Sequence, residues 1–201
     1  MIAPDSQRKT LADVLIARRA TSHAQAAPVA REAALLVGGV VALALSAHVI
    51  IPLPFTPVPV TGQTFAVLLL AAAYGMRRGV ATVVSYLLAG AAGLPVFAAA
   101  PGAFSYGYLV GFIFAAIAVG WLAEHGWGRS LPSAIGAMLI GEAAIYAGGL
   151  PWLARFVGWN HVIALGLWPF LPGDALKLLA AALLLPAAWW VTRRALGQEQ
   201  R

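Results

Sequence analysis

The sequence contains no cysteine, which excludes disulfide bonds, thiolate metal sites and cysteine nucleophiles. Charge is scarce as well: only 10% of the 201 residues are charged, whereas 61% are hydrophobic. So few polar side chains cannot coat a water-soluble globule. The composition therefore predicts an integral membrane protein.

The sequence also lacks the signatures of an ATPase and of a nucleic-acid-binding domain. The sequence has no G-x-x-x-x-G-K-[ST] phosphate-binding motif, so energy from ATP would have to come from a partner subunit. The formal net charge of +6 is not gathered in a basic soluble domain, which argues against nucleic-acid binding. We expect no cofactor, no bound metal and no nucleic-acid partner.

Long apolar runs predict an all-α membrane protein. With roughly 20 apolar residues needed per spanning helix, the sequence gives a bundle of six transmembrane helices: 33–51, 65–76, 79–97, 106–123, 131–150 and 174–192. The second helix is short, because it covers about 18 Å of a hydrocarbon layer roughly 30 Å thick. We expect irregular chain to fill the remainder, in outer loops.

The orientation is predicted from lysine and arginine, because short basic loops stay in the cytoplasm. Basic residues concentrate before the first helix, between the second and third, between the fourth and fifth, and after the last. Arg155 falls in a predicted loop on the other side. The expected organisation in the cell inner (cytoplasmic) membrane is a cytoplasmic basic tail at 1–31, a six-helix membrane domain at 32–194 and a cytoplasmic tail at 195–201.

Prolines cluster on the predicted outer side, above all in residues 51–64, IPLPFTPVPVTGQT, called here the proline stretch. Further prolines fall in the other predicted outer loops: Pro95, Pro101, Pro151, Pro169 and Pro172. Proline fixes φ and removes an N–H donor, so such chain is stiff and needs few hydrogen-bond partners. Irregular chain at membrane depth is tolerated where it lines a cavity. We therefore expect the proline stretch to form the wall or lid of an outward-facing pocket.

Polar groups follow directly after these prolines. Gln63 and Thr64 lie beside the short second helix. A helix cap would account for the threonine, but a cap does not require Gln63. Both residues are therefore candidates for the pocket lining.

Ionisable residues in or beside the helices are the next indication of a site, because a charge at the bilayer centre costs at least about 2.5 kcal/mol. Asp174 and Lys177 lie one turn apart on one face of the last helix. They form either a ligand site or a pair that neutralises its own charge. Glu142 lies inside the fifth helix, with Tyr146 one turn further on the same face. Three roles remain open for Glu142: a protonated structural hydrogen-bond donor, a residue of the pocket, or part of a proton path.

The first helix carries small residues at four-residue spacing: Ala34, Gly38, Ala42 and Ser46. Such a face lets another helix approach closely, which is how helices associate in lipid. The neighbouring helix belongs either to this chain or to another subunit.

Several segments, in their order and spacing, resemble the BioY family: IPLPFTPVPVTGQT, GLPVFA, GYLVGFIFA, AIYAGGLPWLA and PFLPGDALK. These proteins are the biotin-binding membrane subunits (S components) of energy-coupling factor (ECF) transporters. The resemblance covers residues 31–194. It implies a six-helix bundle with an outward biotin site roofed by the first and third loops, and coupling to a transmembrane T subunit and two ATPase subunits. The small face of the first helix, with Ala34, Gly38 and Ala42, resembles the coupling surface of such subunits.

One segment departs from the family pattern. The third loop, AAAPGAFSYG, is shorter and less glycine-rich than is usual among BioY proteins.

Biotin is compatible with the predicted pocket. Four aromatic residues are candidates to contact its fused rings: Phe55, Tyr86, Trp152 and Trp168. Asp174 would accept from the ureido N–H groups, and Lys177 would meet either the ureido oxygen or the valerate carboxylate. A second carboxylate near the valerate would repel it unless protonated, so Glu142 is expected to be neutral or out of contact.

Other functions remain open at this level. One is an S component for another vitamin. Another is an intramembrane enzyme with Glu142 and Asp174 as acid and base, although no nucleophile or metal set accompanies them. A purely structural subunit would leave the charged pair and the proline stretch unexplained.

Overall fold

The computed structural model describes residues 10–14, 28–97 and 102–195. After a helical turn at 11–14, these residues form seven α-helices: α1 Pro28–Ala47, α2 Gln63–Tyr74, α3 Met76–Ala91, α4 Tyr106–Glu124, α5 Leu131–Val157, α6 Trp159–Gly166 and α7 Leu171–Ala195. Two short strands, β1 Ile50–Ile51 and β2 Val60–Thr61, pair antiparallel, and a 3-10 turn Ala103–Ser105 precedes α4. Most of the predicted N-terminal tail, nearly all of the C-terminal tail and part of the third loop, with Pro101, lie outside the described residues.

Among the described residues, four helices are long and apolar enough to cross a membrane: α1, α4, α5 and α7. The prediction of a helical membrane protein is thus confirmed. α2 has only 12 residues and α3 has 16, or about 18 and 24 Å of helix. The count of six spanning helices stays a prediction.

Some helix bounds differ from those expected. α1 ends at Ala47 and the chain enters β1, because the prolines that follow favour extended backbone before them. α5 runs through Pro151 to Val157, so Pro151 and Arg155 lie within the helix, and their assignment to a loop was wrong. A proline removes only one backbone hydrogen bond, and buried Leu153 and Ala154 beyond it keep the last turns packed. The eight-residue α6 was not predicted, because it is too short to span a membrane.

α4 packs against α2, α3 and α5. At its contact with α5, glycines bring the two backbones together. A Cβ atom added to Gly111 would lie 2.8 Å from the Cα of Ile145, and one added to Gly148 would lie 2.9 Å from the Cα of Gly111. Small residues permit this close approach in lipid, where interhelical packing replaces the hydrophobic effect.

A charged cluster joins three segments at the end of the bundle opposite the proline stretch. The guanidinium of Arg78 donates to Asp13 at 2.6 Å and, as a fork, to both carboxylate oxygens of Glu32 at 2.7 Å. Burial raises the pKa of Asp13, but hydrogen bonding outweighs it and holds that pKa below its usual value. Glu124, at the end of α4, accepts from the backbone N–H of Met76 at 2.8 Å. These contacts anchor the connection between α2 and α3.

Candidate ligand-binding site

A cavity of about 130 Å³ lies at the end of the bundle where α2, α4 and α7 begin. A single water needs only about 10 to 15 Å³, so the cavity has room for a larger guest. Its apolar lining comes from several elements: Ala47, Val58, Phe97, Phe112, Ile145 and Phe170. A mostly apolar cavity with a few converging polar groups is the usual form of a small-molecule site.

The proline stretch forms part of the cavity wall. Its four prolines lie in the connection between β1 and β2, and both Val58 and Pro59 line the cavity. The hydroxyl of Thr56 donates to the backbone carbonyl of Leu165 at 2.6 Å, which ties the connection to α6. The expectation that the stretch lines a pocket is confirmed.

Three helices meet at the pair of Asp174, in the first turn of α7, and Lys177. Lys177 donates to Asp174 Oδ1 at 3.0 Å and to the hydroxyl of Thr64 at 3.1 Å. The hydroxyl of Tyr146 on α5 donates to Asp174 Oδ2. Asp174 is 6% exposed, and the Lys177 side chain is 18% exposed. A carboxylate has about four lone-pair sites and an ammonium three protons, so both groups retain hydrogen-bonding capacity for a ligand.

A second polar group on the wall is Gln63, at the start of α2. Its Nε2 donates to the Tyr86 hydroxyl at 2.7 Å, and its Oε1 accepts from the Thr61 hydroxyl at 2.9 Å. Tyr86 is fully buried and meets Phe97 edge-on, with ring centroids 5.1 Å apart. Tyr86 therefore supports two lining residues without lining the cavity itself.

Six of the residues expected at the site line the cavity together: Gln63, Thr64, Glu142, Tyr146, Asp174 and Lys177. The remaining candidates do not. Phe55 and Trp168 are 60% and 63% exposed, and Trp152 donates its indole N–H to the carbonyl of Ala103 at 2.7 Å. Ligand contact by Phe55, Tyr86 and Trp152 stays a prediction, and this conformation does not bring them to the cavity.

Four aromatic lining residues were missed: Phe97, Tyr108, Phe112 and Phe170. The Tyr108 hydroxyl donates to the carbonyl of Gly166 at 2.8 Å, which holds the ring at the cavity. Tyr108 and Phe112 lie four residues apart on α4 and hence on one helix face. That spacing was available in the sequence.

Glu142 also lines the cavity, but neither carboxyl oxygen has a hydrogen-bond partner among the described residues. No group of three or more His, Asp or Glu that could hold a metal occurs in residues 10–14, 28–97 and 102–195. The mostly apolar lining with a few polar side chains suits an organic ligand held by hydrogen bonds and apolar contact.

The small face of α1 lies apart from this cavity. Ala34 and Gly38 are exposed and Ala42 is half-buried. A Cβ atom added to Gly38 would have no atom within 4 Å, whereas one added to the neighbouring Gly39 would lie 3.2 Å from Tyr74. Within the described part of the chain, Gly38 has room for an incoming helix.

Known proteins with a similar sequence or fold were compared with the chain. The model of the BioY family matches residues 16–194. A biotin transporter BioY from Rhizobium etli is 36% identical over 148 residues, 67% of this chain and 79% of that protein. One from Thermotoga maritima is 38% identical over 141 residues, 67% of this chain and 82% of that protein.

The fold is similar to a crystal structure of the S-component for biotin from an ECF-type ABC transporter. The TM-score is 0.66 and the identity 22%, and the match covers 81% of this chain and 94% of that chain. This likeness supports the bundle architecture. Since the family match extends from the N-terminal region to the end of α7 and the sequence relatives agree with it, the chain belongs to the BioY family.

Proposed function

We propose that the chain takes up biotin across the cytoplasmic membrane as the substrate-binding subunit of an ECF-type transporter. The observation that carries the proposal is the hydrogen-bonded cluster of buried Asp174 with half-buried Lys177 and Tyr146 at a mostly apolar cavity. The relatives named above are biotin transporters, which favours transport over an intramembrane enzyme.

The cluster suits the polar groups of biotin. The free lone pairs of Asp174 would accept the two ureido N–H groups, and the remaining proton of Lys177 would meet the ureido oxygen or the valerate carboxylate. The aromatic rings of Tyr108, Phe112 and Phe170 would pack on the fused rings. Pairing every polar group of the ligand offsets the cost of removing it from water.

Uptake of radiolabelled biotin by biotin-requiring cells tests this function. Cells that express the chain should accumulate label, and unlabelled biotin should compete whereas riboflavin and thiamine should not. Repeating the assay with and without ECF coupling subunits shows whether the chain transports alone. Accumulation that another vitamin blocks, and biotin does not, would assign a different substrate.

The proposed partners are an ECF T subunit and ATPase subunits, and we place the T subunit on the small face of α1. Gly38→Leu should weaken association with the T subunit, because the leucine would hold the incoming helix away. Biotin affinity should not change, because Gly38 does not line the cavity and a Cβ atom added to it would have no atom within 4 Å. Pull-down of the T subunit and a biotin titration measure the two effects.

Ala180→Leu is the matched control, since Ala180 is a small exposed residue on a different helix, α7. This variant should retain both the T subunit and biotin. Unchanged recovery of the T subunit with Gly38→Leu would show that the T subunit binds a different surface of the chain.

We further propose that both termini are cytoplasmic and that the cavity opens outward. The cysteine-free chain allows single labels at Pro57 and Arg77, which are both exposed and lie at opposite ends of the bundle. In sealed cells, an impermeant maleimide should label Pro57→Cys and should reach Arg77→Cys only after permeabilisation. Labelling of Arg77→Cys but not Pro57→Cys in sealed cells would show that the chain has the opposite orientation.

A further inference from the structure

Glu142 is a buried carboxyl group that the fold leaves unused. It is 7% exposed and lines the cavity, and neither Oε1 nor Oε2 has a hydrogen-bond partner among the described residues. Other polar side chains of the cavity are hydrogen-bonded to neighbours: Thr61, Gln63, Thr64, Tyr108, Tyr146, Asp174 and Lys177. An unsatisfied buried polar group in a native structure calls for an explanation. A ligand bound in the cavity would supply the partner, because Glu142 lines that cavity.

The surroundings of Glu142 favour the neutral acid. Burying an ionised carboxylate without a partner is far more costly than burying the protonated form. Lys177 is the only cationic residue among the described lining residues, and it is already paired with Asp174 and Thr64. The negative charge of Asp174 offsets that of Lys177, so the pair offers Glu142 no net positive charge.

Four other titratable groups line the same cavity as Glu142: Tyr108 on α4, Tyr146 on α5, and Asp174 and Lys177 on α7. From α2 the cavity receives the uncharged Gln63 and Thr64. The turn at Ala103–Ser105 has no titratable side chain, and His161 of α6 is exposed, with its ring next to the carbonyl of Val157. Asp174 is the only other carboxylate among these groups, and its charge further disfavours an ionised Glu142.

We propose that Glu142 is a protonated acid that donates a hydrogen bond to an oxygen acceptor of the bound vitamin, and this inference rests on the proposed biotin-binding function. Glu142 precedes Tyr146 by one turn of α5, about 6 Å farther from the loops at the cavity mouth. The donor therefore meets the most deeply bound part of the ligand. Both the ureido carbonyl and the valerate carboxylate of biotin offer a suitable oxygen.

Three proteins test the donor by calorimetric titration with biotin: the parent, Glu142→Gln and Glu142→Met. The Gln side chain keeps the shape and an N–H donor, so its affinity should lie within about twofold of the parent. The Met side chain has similar length and no donor, so its affinity should fall about tenfold or more, the cost of a lost buried hydrogen bond. Thermal unfolding should show that both variants are folded.

The pH dependence gives a second test that does not use the Met variant. If binding requires protonated Glu142, parent affinity falls as pH rises above the point where the free protein loses that proton. Glu142→Gln retains Tyr108, Tyr146, Asp174 and Lys177, so any pH effect of these groups is common to both proteins. The ratio of the parent's biotin affinity to that of Glu142→Gln therefore reports the titration of Glu142. Between pH 6 and 9 the ratio should fall, and a ratio that stays constant would show that the Glu142 proton takes no part in binding. A rising ratio would show that the anion binds biotin and would overturn the proposal.

Other results would also overturn it. Parent-like affinity in Glu142→Met would place Glu142 out of contact, and tighter binding by both variants would show a repelling anion. Titration with biotinol, which lacks the carboxylate, identifies the acceptor. If Glu142→Met lowers the affinity for biotinol as much as the affinity for biotin, the acceptor is the ureido oxygen. If it does not lower the affinity for biotinol, the acceptor is the valerate carboxylate. If the parent itself binds no biotin, the proposed function fails, whereas parent binding with an unaffected Met variant defeats this inference alone.

Discussion

Asp174→Asn is expected to lower biotin affinity about thirty-fold or more, and Lys177→Met to lower it by a similar factor. Removing one member of a buried charged pair typically costs about 2 to 5 kcal/mol, because the other charge is left without its partner. The Asn amide also turns part of the acceptor surface of Asp174 into a donor that faces the ureido N–H groups. Titration calorimetry on the purified variants measures both losses.

Arg155→Met is a matched control for the lost cation. Arg155 lies exposed near the end of α5, over the ring of Trp152 and outside the cavity lining. Its loss should leave biotin affinity within about twofold of the parent. Parent affinity in both Asp174→Asn and Lys177→Met would show that the pair only supports the fold, and that the ligand binds elsewhere.

Gly111→Leu is expected to destabilise the fold by about 3 kcal/mol or more. A Cβ atom at this position would lie 2.5 Å from the carbonyl oxygen of Ile145 and 2.8 Å from its Cα, and a backbone cannot rotate away as a side chain does. α4 and α5 would have to separate, and Tyr108 and Phe112 would move with α4. Thermal unfolding in detergent should show a much lower midpoint and reduced recovery of folded protein.

Gly38→Leu controls for the substitution itself. It places the same side chain on a helical glycine in α1 where an added Cβ atom would have no atom within 4 Å, so its unfolding midpoint should match the parent. Equal midpoints for Gly111→Leu and the parent would contradict the close packing of α4 and α5.

Sequence reasoning found polar residues that line the cavity, because charge in an apolar helix is a local property. Asp174, Lys177 and Glu142 stand out from their neighbours without knowledge of the fold, and all three line the cavity. The apolar part was harder to find. Tyr108 and Phe112 are aromatic residues in an apolar helix, where most positions face lipid or other helices, so only the fold distinguishes their face.

The same limit applies to the helix ends. Pro151 suggested a loop, but packing of Leu153 and Ala154 continues α5 for two more turns. Tyr86 lies behind Gln63 as its hydrogen-bond partner, a placement that the sequence did not indicate, and its contact with the ligand stays a prediction. In each case a tertiary contact decided between structures that local sequence permits equally.

Direct binding of biotin to the purified chain tests the central claim. Titration calorimetry in detergent should give saturable binding with one biotin per chain. Biotin at a hundred times its dissociation constant should also stabilise the folded protein by about 2.7 kcal/mol, seen as a higher unfolding midpoint. No binding heat and an unchanged midpoint with biotin, together with stabilisation by a different vitamin, would contradict the account.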